Sequence, residues 1–108
     1  MLSNPEWGLN EVGRGLMRAA NYMREHGHCK FCSSNNDGNV CLNGALFKTV
    51  SFSLHRKCIE RLAQVKGIEG GLINKEDGLV EWNNKHETTG EDVISLFEQA
   101  AETCRVTT

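Results

Sequence analysis

The chain has 108 residues, of which 24% are charged and 6% aromatic, and carries a net charge of −2 with its histidines neutral. That is one domain's worth of sequence, able to bury about 65% of its unfolded surface, and the mildly acidic balance argues against a general nucleic-acid binder, whose domain is normally basic. No apolar run approaches the ~20 residues that span a bilayer, and the opening Met1-Leu2-Ser3-Asn4 stretch has neither the basic nor the apolar segment of an export signal. The expectation is a soluble intracellular protein without a membrane partner, placed in the cytoplasm with the nucleus left open.

In chain order, the sequence predicts a first amphipathic helix over 5–26, with Asn4 as N-cap, Pro5 in the first helical position and Glu6 at the positive end of the dipole. Leu9, Val12, Leu16, Ala20 and Met23 recur every three or four residues as its apolar stripe. Gly8, Gly13 and Gly15 weaken it by up to ~1 kcal/mol each relative to Ala, so it depends on tertiary packing. Gly27 ends it.

A module over 28–67 follows. Asn43-Gly44 between the apolar runs Val40-Cys41-Leu42 and Ala45-Leu46-Phe47 reads as a β-hairpin turn. Residues 49–54 alternate polar and apolar, with Val50, Phe52 and Leu54 on one side of a half-buried strand. Ser53 suits the N-cap of a helix reaching Lys66, stopped by Gly67. A small hairpin over 71–83 then pairs Leu72-Ile73-Asn74 with Leu79-Val80-Glu81-Trp82 across the turn Lys75-Glu76-Asp77-Gly78. A last helix over 89–104 is capped by Thr88 or Thr89 and buries Val93, Leu96, Phe97, Ala100 and Cys104. The whole is read as a single domain over 1–108.

Four residues inside the module carry the chemistry. Cys29 and Cys32 form a C-x2-C pair, and His55 and Cys58 follow after 22 intervening residues as an H-x2-C pair. Two Cys at this spacing can wrap one ion, and a His and Cys three apart share a helix face. The set predicts one structural, tetrahedral Zn2+ held by Cys29, Cys32, His55 and Cys58, with no open position for catalysis. Three bound thiolates and the ion would bring the net charge to about −3. Five cysteines do not suit a secreted disulfide framework. The Ser33-Ser34-Asn35-Asn36-Asp37-Gly38-Asn39 run after Cys32 is loop chemistry, unlike the helix start that a thioredoxin-type pair requires. His26 and His28 flank the first pair as weak competitors for the ion, and Cys41 reads as a small core residue.

The segments Cys29-Lys30-Phe31-Cys32 and His55-Arg56-Lys57-Cys58 resemble the first zinc-binding half of LIM domains, and more loosely PHD-type fingers. The likeness covers about 30 of the 108 residues, and no second ligand set follows Cys58. It implies a treble clef of knuckle, hairpin and helix, and hence an α+β fold: a small zinc module flanked by an N-terminal and a C-terminal amphipathic helix. It also implies protein–protein contact.

The functional expectation is therefore a zinc-stabilised interaction module, a regulator or inhibitor that docks on a larger protein and is not an enzyme. Arg14, Arg18 and Trp82 are its candidate partner contacts. A nucleic-acid-binding finger using Arg14, Arg18, Arg24, Lys30, Arg56 and Lys57 as one basic face is the alternative. A metal-dependent nuclease is a remote third, since residues 40–53 contain no histidine to serve as base and His86 is the only one beyond His55.

Overall fold

A computed structural model describes residues 8–105. Among them the chain forms five helices: α1 Glu11–His26, α2 Leu42–Thr49, α3 Phe52–Lys66, α4 Leu72–Asn84 and α5 Gly90–Glu102. No β-strand is present among the described residues, and extended pairing is confined to isolated bridges such as His28 with Val40 and Leu9 with Arg105. The expected α+β treble clef is thus corrected to an all-helical fold. Both predicted hairpins are helices.

The first correction lies at Asn43-Gly44. The turn signal there is local, and the surrounding chain overrides it. Cys41 stands as N-cap of α2, its sulfur accepting the Gly44 N–H at 3.3 Å. A Cβ built on Gly44 would lie 1.8 Å from the Ser33 carbonyl oxygen, so this glycine serves close packing of the preceding loop on α2. Residues 49–54 do not form a strand. Val50 caps α2, Ser51 Oγ accepts the Leu54 N–H at 3.3 Å as N-cap of α3, and Phe52 opens α3 in solvent. The N-cap therefore stands two residues before the expected Ser53.

The second correction is α4. Leu72, Leu79 and Trp82 fall on one helical face, and Gly78 sits where a Cβ would meet Ile68 at 3.1 Å. The 3.6-residue period of Leu72, Leu79 and Trp82 outweighs the turn chemistry of Lys75-Glu76-Asp77-Gly78.

The expected cap of the first helix, at Asn4 to Glu6, lies outside the described residues. Among those described, α1 begins at Glu11, with Asn10 Oδ1 accepting the Gly13 N–H at 2.9 Å, and Gly27 closes it at φ 92°. Its glycines are contact points. A Cβ at Gly13 would come within 2.9 Å of Cys104 Cβ, and one at Gly15 within 2.9 Å of Val50 and 3.2 Å of Leu54. They let α1 approach the end of α5 and the start of α3 more closely than Ala would allow.

α1 packs against α2, α3 and α5, most extensively against α5, while α4 lies on α3 and α2. The core joins Leu16, Ala20 and Met23 of α1 to Leu46 of α2, Ile59 and Leu62 of α3, Leu79 of α4 and Phe97 of α5. A capping box at Thr89 and Asp92 starts α5. No helix among the described residues is long and apolar enough to cross a membrane.

Candidate functional site

Two places concentrate chemistry, and each holds half of the expected ligand set. The first is the knuckle Cys29–Cys32, which lies on the loop between α1 and α2. The two sulfurs are 3.3 Å apart, with Cys29 8% exposed and Cys32 in solvent. Burial, then the neighbouring Cys32 thiol, pushes the Cys29 thiol up to about 12.

The knuckle is held from the far end of α4 by a side chain that sequence reasoning missed. Asn83 is fully buried. Its Oδ1 accepts His28 Nε2–H at 2.8 Å and the Leu42 N–H at 3.1 Å. Its Nδ2 donates to the Cys29 carbonyl at 3.2 Å and to Asn84 Oδ1 at 3.1 Å. Asn84 Oδ1 in turn accepts the Phe31 N–H at 2.8 Å, and Lys30 Nζ donates to the carbonyls of Lys85 and His86. Phe31 is held at φ 63°, a conformation that costs a bulky residue energy, and is 81% exposed. A satisfied polar network of this kind fixes a loop in one conformation. The detectable signal was register: Asn83 follows Leu79 by four positions, on the apolar stripe of α4.

The second place is His55. It is 7% exposed, and its Nε2 donates to Asn43 Oδ1 at 2.5 Å. Its ring stacks on Phe47 at 4.6 Å between centroids, and Glu76 Oε2 of α4 stands 3.7 Å from Nε2. Burial lowers the His55 pKa below its ordinary value, against the opposing pull of Glu76. Asn43 of α2, His55 of α3 and Glu76 of α4 thus join three helices at one polar centre. Cys58 is turned elsewhere. It is fully buried, its sulfur 3.9 Å from the Val12 carbonyl of α1, and burial followed by the Cys104 thiol pushes it up to about 12.

The four residues expected to share one Zn2+ are therefore not gathered: Cys29 and Cys32 stand together, His55 faces α2 and α4, and Cys58 faces α1. Among the described residues, no group of three or more His, Cys, Asp or Glu side chains is placed to hold a metal ion. The flanking candidates are engaged as well. His28 bonds Asn83, and His26 stacks on Tyr22 at 4.1 Å. Cys41 caps α2, and Cys104 packs beneath Gly13.

The candidate contact residues are dispersed. Arg14 Nη1 donates to the Leu9 carbonyl at 2.8 Å, and Arg18, exposed one turn further along α1, lies near enough to Cys58 to act on its charge. Trp82 is half-buried against the core, with Lys66 Nζ 4.2 Å over its ring. Of the other basic residues, Arg24 pairs with Glu98 at 2.7 Å and Lys30 is spent on the two carbonyls. Arg56 and Lys57 are exposed on α3.

Fold and site together define a small helical protein with a clamped dithiol loop and a polar centre shared by three helices, with exposed Phe47 stacked on it. The chain belongs to the family DUF6197, a family of unknown function, which it matches over residues 10–103. No curated protein and no solved structure matches it.

Proposed function

We propose that the chain is a protein-interaction module that docks on a larger protein through the face around His55. One observation carries this reading: three large apolar side chains stand in solvent there, Phe47 at 53%, Phe52 at 88% and Ile73 at 75% exposure. Phe47 stacks on the imidazole, Phe52 lies one turn before His55 on α3, and Ile73 lies one turn before Glu76 on α4. Burying such a side chain contributes about 1.5–3 kcal/mol, and a rimmed cluster of them is the usual mark of a contact surface. Exposed Lys48 and Arg56, next to Phe47 and one turn after Phe52, favour a partner segment that is apolar with acidic flanks.

A capture experiment from a native lysate, read by mass spectrometry, tests the reading. The intact chain should retain a protein that the Phe47→Ser/Phe52→Ser double variant loses, with unchanged circular dichroism in both. Retention that survives the double variant overturns it. So does retention that disappears with nuclease and falls steeply between low and moderate salt, which would restore the nucleic-acid alternative.

A further inference from the structure

We infer that Cys29 and Cys32 form a thiol–disulfide exchange site for low-molecular-weight disulfides, with Cys32 as the attacking sulfur and Cys29 as the resolving one. The sulfurs are 3.3 Å apart, and a disulfide needs about 2.05 Å, so closure asks for a movement of about 1.3 Å. The knuckle is already bent for it. Asn83 holds the Cys29 carbonyl, Asn84 holds the Phe31 N–H, and Phe31 sits at φ 63° between the two cysteines. A bulky residue in that region marks a backbone that its surroundings over-determine, a pattern that clusters at functional sites.

Exposure then divides the roles. Cys32 is in solvent, where a small disulfide can reach it along the line of its own S–S bond, whereas Cys29 is 8% exposed and meets Cys32 from below. The remaining thiols do not compete for the substrate: Cys41, Cys58 and Cys104 are each 4% exposed or less. The loop setting that distinguishes this pair from a helix-borne redox motif is unchanged. Its clamp to α4 holds the knuckle backbone in place through Asn83 and Asn84.

The chemistry balances without a further reactant. The Cys32 thiolate attacks one sulfur of the small disulfide, forming a mixed disulfide and releasing the other half, which takes up the proton Cys32 gave up. Cys29 then attacks Cys32 Sγ, the mixed bond breaks, and the Cys29 proton passes to the second departing thiolate. The protein loses two S–H bonds and gains one S–S bond. The substrate loses one S–S bond and gains two S–H bonds.

The test uses the full reduced chain with oxidised glutathione, followed by thiol counting and intact mass. The parent should lose two of its five thiols and two hydrogens, and carry no adduct. Cys29→Ser should stop at one glutathionyl group on Cys32, Cys32→Ser should keep its thiols free, and Cys41→Ser should behave as the parent. Three results overturn the inference: a parent that keeps all five thiols, a Cys29→Ser variant that traps no glutathione, or a disulfide that maps to Cys41. The parent measurement stands whether or not a variant folds.

Discussion

The Cys29–Cys32 pair and the His55–Cys58 pair have the same spacing and each includes a buried thiol, yet they sit in different surroundings. The first lies on a loop, with its two sulfurs in mutual contact and one of them in solvent. The second lies on α3, and its two side chains diverge. His55 reaches Asn43 and Phe47 of α2, while Cys58 is sealed beneath α1. Three residues along a helix turn through about 300°, so neighbours on one face can still serve different interfaces when two helices press from either side. Ligand-like spacing states what a backbone permits. The packing of the rest of the chain decides what it is used for.

The loop pair depends on contacts that can be removed one at a time. The largest expected effect is Gly44→Ala, which places a methyl group against the Ser33 carbonyl and forces the knuckle loop off α2. A loss of about 3 kcal/mol or more in denaturant unfolding is expected, at or above the upper end of what overpacking costs. Asn83→Ala comes next. It leaves the buried Leu42 N–H and Cys29 carbonyl without their partner, at about 3 kcal/mol in total, and alkylation of Cys29 should accelerate while Cys58 stays protected.

A smaller effect separates the two pairs directly. Cys58→Ser puts a hydroxyl into a fully buried apolar site and should cost about 1–2 kcal/mol. Cys32→Ser, in solvent, should stay within about 0.5 kcal/mol. A shared ion would make both equally damaging, so equal and large losses would break the comparison.

The smallest effect is a pH dependence. The His55 pKa is lowered in the folded state, so its neutral form is the folded one, and its contribution to stability is full above the ordinary value of about 6.5. As pH falls from about 6.5 toward the folded pKa, the unfolded chain takes up the proton first and stability drops, then levels off. His55→Gln should flatten that limb of the profile. Glu76, the carboxylate 3.7 Å from Nε2, opposes the shift, so Glu76→Gln should deepen it.

The parts of the fold legible in the sequence are those set by local chemistry. Gly27 and Gly67 end their helices at φ 92° and 83°, and Thr89 begins α5 with the stripe Val93, Leu96, Phe97 and Ala100 buried. The illegible parts are those set by distant contacts. Asn43-Gly44 has strong turn chemistry, and only the Ser33 carbonyl packed on Gly44 shows why the glycine is there. Phe52 alternates with Val50 and Leu54 as a strand residue would, yet it stands 88% exposed because α3 starts at that position. Of the site, the C-x2-C spacing singles out Cys29 and Cys32, whose sulfurs stand 3.3 Å apart, but does not state what the pair does. Asn83 was hidden, since one asparagine among Trp82-Asn83-Asn84 looks like a loop until the helical register of α4 is known.

The most direct test is the circular dichroism of the chain before and after exhaustive chelation, with zinc content measured on the same sample. Helical packing of α1 on α5 and α3 holds this fold, so the helical signal and the unfolding midpoint should be unchanged by the chelator. Collapse of the signal together with the release of one zinc per chain would contradict that, and would require Cys29, Cys32, His55 and Cys58 to meet at one ion.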